Sequence, residues 1–125
     1  INASLIGAGK IVVSDYCNIS SRVSIYSSND DYSGYFMTNP MIPTEFTSVY
    51  VDDVILEKHV IIGSSSIILP GVVLEEGVAI GALSLVKERC KSFCLYAGRP
   101  ARFLKKRSTN LLKFEEKLKL LQNSN

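Results

Sequence analysis

A cluster of basic residues near the carboxyl end of the chain has the composition of a binding site for an anionic ligand. The segment "YAGRPARFLKKR" places four cations close together, namely Arg102, Lys105, Lys106 and Arg107. Residues 99–125 carry eight Lys and Arg against two Glu, whereas residues 1–98 carry six against ten Asp and Glu. Because Arg and Lys donate charge-assisted hydrogen bonds to phosphate oxygens, this imbalance predicts a local anionic partner rather than a nucleic acid.

Side chains that could accept a proton lie in two other places. The irregular segment 26–49 contains Asp30 and Asp31, and the only histidine of the chain is His59. Carboxylates and imidazoles are the common general bases of enzymes. However, the two aspartates could equally form an Asx turn, and the histidine could be a solvated corner residue. The residues alone leave these alternatives open.

A six-residue repeat predicts the elements that position these groups. Large residues recur every six positions at Tyr50, Leu56, Ile62, Ile68, Leu74, Ile80 and Val86. Small or β-branched residues follow each by four, at Val54, Val60, Ser66, Val72, Val78, Ser84 and Cys90. The same phase continues upstream through Ile1, Val13, Ile19 and Ile25 with Leu5, Cys17 and Val23.

This period fits neither an α-helix nor an ordinary sheet. It fits short strands and turns wound around a three-sided prism, with 18 residues to a coil. We therefore predict an all-β solenoid over residues 1–107, interrupted by a loop insertion at about 26–49. The repeat begins at once at Ile1, which predicts either upstream coils or coverage by other chains.

Residues 108–125 are predicted to form a C-terminal helix and tail. Apolar residues recur there at helical spacing, at Leu111, Phe114, Leu118 and Leu121. The side chains of residues 108–110 are of the types that cap helices. We expect this helix to pack on the prism or on a neighbouring subunit.

The stretch "IIGSSSIILPGVVLEEGVAIGALSLV", followed by "YAGRPARFLKK", resembles the hexapeptide-repeat acyltransferases, and in particular bacterial sugar and surface-polysaccharide O-acetyltransferases. The resemblance covers nearly the whole chain. It implies a left-handed parallel β-helix, acetyl-CoA as the acyl donor, a carbohydrate acceptor and a homotrimer. In such a trimer each coenzyme groove is lined by two neighbouring subunits.

The resemblance also implies roles for individual residues. Arg102 and Lys105 match positions that meet the coenzyme phosphates, and Lys87 matches a coenzyme-contacting position with a different residue type. The backbone N–H of Ser64 would stabilise the thioester oxygen, and Ala82 would contact the pantetheine arm. Small residues at these corners are also what steric fit requires, and one corner could serve both purposes.

Members of this family usually take the acceptor proton with a loop histidine, which the segment 26–49 lacks. The candidates for the base are then Asp31 or Asp30, or His59 from the prism. We predict O-acetylation of a sugar hydroxyl in surface-polysaccharide or related carbohydrate metabolism. The alternatives are N-acetylation of an amino sugar such as a nucleotide-linked one, because an amine needs less help to lose its proton, and a non-catalytic binding scaffold.

Composition excludes several other classes of protein. No run of 18 apolar residues is present, so no membrane span is predicted. Cys17, Cys90 and Cys94 form no CxxC pair, which favours reduced thiols and a cytoplasmic location. A zinc site with three histidine ligands is disfavoured, since the chain has one histidine, and no metal is expected.

Overall fold

The computed structural model describes residues 3–124, in which short strands are followed by one helix. The repeat strands are β1 (Ser4–Ile6), β2 (Ile11–Val13), β3 (Asn18–Ile19), β4 (Ser24–Tyr26), β7 (Val54–Leu56), β8 (Ile61–Ile62), β9 (Ile67–Ile68), β10 (Val73–Leu74), β11 (Ala79–Ile80) and β12 (Leu85–Val86). The remaining elements are β5 (Ser28–Asn29), a 3₁₀ turn (Thr44–Phe46), β6 (Tyr50–Val51), β13 (Cys94–Gly98), β14 (Ala101–Lys106) and α1 (Leu111–Asn123).

Successive repeat strands join three sheets in a fixed rotation. Sheet 1 has the order β1-β4-β9-β12, sheet 2 the order β10-β7-β2, and sheet 3 the order β14-β13-β11-β8-β3. From β7 to β12, parallel partners lie 18 residues apart, as Ile67 and Leu85 do. Short strands and tight turns therefore bring the chain back to the same sheet every third strand, which is the predicted coil length.

The period-six residues form the core of the repeat body, which we define as residues 54–90. Every position of both predicted sets within it is buried, from Val54 and Leu56 to Val86 and Cys90. The buried hydroxyls of Ser66 and Ser84 donate hydrogen bonds to the carbonyl oxygen of Gly81 at 3.0 and 2.7 Å. These bonds satisfy the polar groups that the repeat places inside.

Three residues of the predicted sets differ from expectation, and Ile1 lies outside the described residues. Tyr50 is 55% exposed, because it belongs to the antiparallel pair β5–β6 and its hydroxyl donates to Asp52 at 2.7 Å. Leu5 and Val13 are also exposed, since β1 and β2 are edge strands with a neighbour on one side only. The repeat resumes at Val54 rather than at Tyr50.

The loop insertion leaves and re-enters the repeat through the antiparallel strand pair β5–β6, which we call the neck. Strand partners on opposite sides of the loop, such as Val12 and Ile55, are 43 residues apart in sequence. This separation is one 18-residue coil plus 25 inserted residues. Ser27 is fully buried beneath the neck, where its Oγ donates to the carbonyl oxygen of Gly9 at 2.9 Å. Its carbonyl oxygen accepts from the Asp52 N–H at 3.0 Å, so both ends of the loop are tied together.

The C-terminal part of the chain closes back onto the repeat body. Arg107 Nη1 donates to the carbonyl oxygen of Gly77 at 2.6 Å before the helix α1 begins. Asn110 precedes the helix without a side-chain capping bond, and Ser108 Oγ instead accepts from the Asn110 N–H at 3.0 Å. Within residues 3–124, no helix has the length and hydropathy needed to cross a membrane.

Candidate active site

The two glycine turns predicted to hold the acyl donor, residues 63–66 and 81–84, stack directly on each other. A Cβ on Gly63 would lie 2.5 Å from the Ala82 backbone nitrogen, so only glycine allows this approach. Gly63 N–H donates to the Ile80 carbonyl oxygen at 2.7 Å. Within residues 3–124, by contrast, the amide N–H groups of Ser64 and Ala82 have no protein acceptor. Neither amide is therefore bound to a carbonyl oxygen of the described residues, and their contacts with the acyl donor stay predictions.

The basic residues of the tail lie on the β13–β14 hairpin. Arg102 pairs with Ala97 and Lys105 pairs with Leu95, and a register shift leaves Leu104 unpaired between them. Directly paired residues of antiparallel strands project from the same face. The β-bulge therefore places Arg102 and Lys105 on one face, although residues three apart on a regular strand project from opposite faces.

Lys87 and Arg102 are brought together across the end of the repeat body. Both line a cavity of about 130 Å³ with Glu88, Pro100 and Ala101. Both also line an adjoining cavity of about 230 Å³ that includes the rings of Tyr96 and Phe103. Lys105 lines neither of these cavities. The larger cavity also contacts Cys90, whose pKa burial raises to about 12, so this thiol stays protonated and is not a nucleophile.

Asp30 lies where the loop leaves β5, among residues of β1, β4 and the loop. It lines a cavity of about 260 Å³ with Tyr26, Asn29 and Tyr32, among other residues. It also lines a cavity of about 320 Å³ formed by the rest of the loop. Tyr26, Asn29 and Tyr32 line a third cavity, of about 510 Å³, against the outer face of sheet 1, to which Ile67 and Leu85 contribute. Sequence reasoning gave no role to Tyr26, whose position at the end of β4 was its only signal.

Asp31, next to Asp30 in sequence, has a different environment and does not line these three cavities. Its Oδ1 accepts from Ser33 Oγ at 2.7 Å, and its Oδ2 accepts from the N–H groups of Gly34 and Phe36, each at 3.2 Å. The hydrogen bond from Ser33 and those from the backbone hold the pKa of Asp31 below its usual value. A carboxylate that is already hydrogen-bonded and weakly basic is poorly suited to general-base catalysis, so the geometry argues against that predicted role.

His59 is also engaged elsewhere. Its Nε2 lies 2.5 Å from Oε1 of Glu115 on α1, and its ring stacks on Tyr16 at a centroid distance of 5.0 Å. The His59 side chain is 11% exposed, and Lys119 Nζ approaches the second Glu115 oxygen at 2.8 Å. His59 thus anchors the helix to a turn of the repeat body, and its catalytic role stays a prediction that this contact does not favour.

The described part of the chain contains no cluster of metal ligands. Within residues 3–124, no three His, Cys, Asp or Glu side chains lie close enough to hold a metal ion. The arrangement offers backbone N–H donors, the cations Lys87 and Arg102, and the cavity-lining carboxylates of Asp30 and Glu88.

Comparison with known proteins identifies the family. No protein-family model matches the chain. It is 54% identical to a dTDP-4-amino-4,6-dideoxy-D-glucose acyltransferase of Escherichia coli. The 119 aligned residues are 95% of this chain and 62% of the relative. AntD, an N-acyltransferase from Bacillus cereus solved with dTDP and 3-hydroxybutyryl-CoA, matches with 36% identity and a TM-score of 0.89, over 98% of this chain and 75% of AntD. The chain belongs to the hexapeptide-repeat sugar acyltransferases.

The membership predicted from the sequence is thus confirmed. A maltose O-acetyltransferase from Clostridium difficile 630 shares the fold, with 22% identity and a TM-score of 0.57 over 86% of this chain and 60% of that enzyme. A variant of AntD has been solved with dTDP-4-amino-4,6-dideoxyglucose and coenzyme A, and it matches with 36% identity and a TM-score of 0.85 over 94% of this chain and 73% of AntD. The chain spans about three-fifths of the length of its E. coli relative.

Proposed function

We propose that this hexapeptide-repeat acyltransferase transfers an acyl group from a coenzyme A thioester to the amino group of a nucleotide-linked deoxy amino sugar. The observation that carries the proposal is the 54% identity to an acyltransferase for dTDP-4-amino-4,6-dideoxy-D-glucose, across 95% of this chain. AntD, which binds the same sugar nucleotide together with coenzyme A, supports it. The preference for a sugar hydroxyl is therefore corrected to the amine alternative.

The loop chemistry suits an amine acceptor. A hydroxyl must lose its proton as it attacks, whereas a neutral amine attacks first and loses its proton afterwards. The loop holds no histidine, and Asp30 is the carboxylate that lines its cavities. We assign Asp30 to hydrogen-bond and orient the sugar amine. The C–N bond forms as the C–S bond breaks, and the proton released by the amine neutralises the departing thiolate.

The repeat body and the hairpin supply the donor site in this proposal. Negative charge develops on the thioester oxygen during attack, and the Ser64 N–H would stabilise it. The neighbouring amide of Ala82 would hold the pantetheine arm. Arg102, Lys105 and Lys87 would bind the phosphates of the coenzyme. We propose acetyl-CoA as the donor. Because AntD has been solved with 3-hydroxybutyryl-CoA, thioesters with longer acyl groups should be tested as donors beside it.

We further propose that the three sheets form one left-handed parallel β-helix, residues 1–107, followed by the helical segment 108–125. The rotation of successive strands through sheets 1, 2 and 3 and the 18-residue spacing support this architecture. A homotrimer is proposed from the family resemblance, with the loop reaching a groove shared by two subunits. The three free thiols favour a cytoplasmic location.

The acceptor class is tested by comparing two sugar nucleotides that differ in one group. Thiol release from acetyl-CoA is measured with dTDP-4-amino-4,6-dideoxyglucose and with the corresponding 4-hydroxy sugar nucleotide. We expect kcat/KM to be at least ~100-fold higher for the amine, and mass spectrometry to identify an amide product. Equal or faster reaction with the hydroxyl compound would restore O-acylation, and failure of coenzyme A to bind in calorimetry would favour the non-catalytic scaffold.

A further inference from the structure

We infer that Asp31 is a positioning residue, which folds the loop tip so that Asp30 and Tyr32 line the acceptor cavities. This inference rests on the proposed function and adds to it a residue that determines the affinity for the sugar acceptor. Asp30 and Asp31 are alike in sequence, and they differ in what their carboxylates contact. Asp30 lines two cavities, and Asp31 binds the loop itself.

The first part of the argument is the fixed base of the loop. Ser28 pairs with Val51 and Asn29 pairs with Tyr50 in the antiparallel neck. The buried Ser27 beneath it donates its backbone N–H to the Ile6 carbonyl oxygen at 2.8 Å. Asn29 is therefore held to the returning strand β6 through paired backbone, and its place beside the cavities does not depend on the loop tip.

The second part is the turn that follows Asp31. Its carboxylate accepts hydrogen bonds from Ser33 Oγ and from two backbone N–H groups, at Gly34 and Phe36. Ser33 Oγ in turn accepts from the Tyr35 N–H at 3.2 Å. The carboxylate thus accepts three hydrogen bonds from the following turn, and Ser33 Oγ accepts a fourth. This local arrangement competes well with solvent because the carboxylate is ionised.

Gly34 allows this turn to form. Its φ is +90°, in the region that side chains disfavour, and a Cβ added there would meet nothing within 4 Å. The conformation, rather than a lack of space, therefore requires glycine. By adopting it, the chain turns back and directs the amides of Gly34 and Phe36 toward the same carboxylate oxygen.

The consequence concerns the two residues between these fixed points. Asp30 and Tyr32 flank Asp31, between the neck and the turn, and both line the cavity of about 260 Å³. Tyr32 also lines the cavity against the repeat body. The tip beyond them has little packing to hold it, since Tyr32 and Tyr35 are 86% and 88% exposed. Beyond Phe36 the loop is tied by the hydrogen bond from the Met37 N–H to the Phe46 carbonyl oxygen at 2.8 Å. The turn next to Asp30 and Tyr32 is instead held by the Asp31 carboxylate.

The test uses Asp31→Ala beside Asp31→Asn in the full chain. Asparagine can still accept from the two backbone amides with its Oδ1 and can donate its Nδ2 to Ser33 Oγ, so it conserves the turn while removing the basic carboxylate. Alanine removes both. A positioning role therefore predicts rescue by asparagine, whereas a general-base role predicts equal loss in both variants.

We expect Asp31→Ala to raise KM for the amino-sugar nucleotide roughly 10- to 100-fold, as loss of hydrogen bonds to a charged group predicts. The value for Asp31→Asn should stay within about fivefold of wild type. The KM for acetyl-CoA should change less than about twofold in both. Glu45→Ala, which removes another carboxylate of the same loop, is the matched control and should behave as wild type.

Hydrogen exchange provides a readout that does not depend on turnover. The amides of Gly34 and Phe36 should exchange at least ~10-fold faster in Asp31→Ala than in wild type, and near the wild-type rate in Asp31→Asn. Unchanged exchange in Asp31→Ala would overturn the positioning role, as would equal kcat losses in the two variants with unchanged acceptor KM. Wild-type protein without acyltransfer would overturn the proposed function instead, and the exchange result would still decide how the loop is held.

Discussion

The repeat body and the inserted loop are stabilised by different kinds of contact. In the body, side chains such as Ile62 and Leu74 are fully buried. In the loop, Tyr32, Tyr35 and Met41 are 86–88% exposed, and the turn is organised around the Asp31 carboxylate. This difference indicates that substitutions in the body should act mainly on stability, and substitutions in the loop mainly on recognition of the acceptor.

The largest expected effect is a charge on the axis of the repeat body. Ile68 is fully buried, and Ile68→Asp would bury a carboxylate without a partner. We expect it to lower the free energy of unfolding by about 4 kcal/mol or more, enough to unfold most domains of this size. Ile67→Asp is the control, because the neighbouring side chain is 38% exposed on the outer face. Equal losses in urea denaturation would show that the assignment of inner and outer positions is wrong.

The next effect concerns the coenzyme rather than the fold. Arg102→Ala combined with Lys105→Ala removes two cations from one face of the hairpin, and we expect coenzyme A affinity to fall by about 2–4 kcal/mol. Lys106→Ala is the control, since Lys106 pairs with Cys94 and projects from the opposite face. Calorimetry should show a change below about threefold for it. An equal loss in the control would mean that general charge, and not this face, attracts the coenzyme.

A smaller effect contrasts the glycines of the two regions. Gly63→Ala would place a methyl group 2.5 Å from the Ala82 nitrogen, and we expect a cost of about 1–3 kcal/mol in the free energy of unfolding. Gly34→Ala meets open space but has a positive φ, so its effect should be confined to hydrogen exchange in the loop. If Gly34→Ala lowered the melting temperature as much as Gly63→Ala, the expected difference between the two glycines would be contradicted.

The same contrast explains how much of the molecule the sequence could predict. The core positions from Val54 to Cys90 were predictable, because burial repeats with the strand and leaves a periodic apolar pattern. Tyr50 fits that pattern in the sequence but is exposed in the structure, because it pairs with Asn29 in the neck and lies outside the coil. Sequence period carries no information on such local pairing.

The polar part of the site was only partly predictable for a related reason. The family match drew attention to Arg102 and Lys105, but the β-bulge that places them on one face depends on hairpin register. The contact between His59 and Glu115 joins residues that are 56 positions apart, and no sequence pattern indicates that the two side chains meet. Asp30 and Asp31 could not be separated at all before the hydrogen-bond partners of each were known.

The smallest expected effect is at the anchor of the helix α1. The pKa of Glu115 is lowered to about 2, first by the hydrogen bond with His59 and then by that with Lys119. Because this pKa is below its unfolded value of 4.5, the stabilisation is complete above about pH 4.5 and is lost as the pH falls toward 2. Glu115→Gln should therefore speed amide exchange in α1 at neutral pH, with little change in the repeat body. A difference from wild type that grew below pH 4 would contradict this assignment.

The central claim is that the donor site belongs to the repeat body and hairpin, and the acceptor site to the loop. The most direct test is to measure KM for both substrates, acetyl-CoA and the amino-sugar nucleotide, in two variants under the same conditions. Arg102→Ala with Lys105→Ala should raise the KM for acetyl-CoA at least ~30-fold and leave that for the acceptor within about twofold. Asp30→Asn should lower kcat/KM for the acceptor at least ~10-fold and leave the KM for acetyl-CoA within about twofold. Equal changes toward both substrates in either variant would contradict the assignment of separate sites.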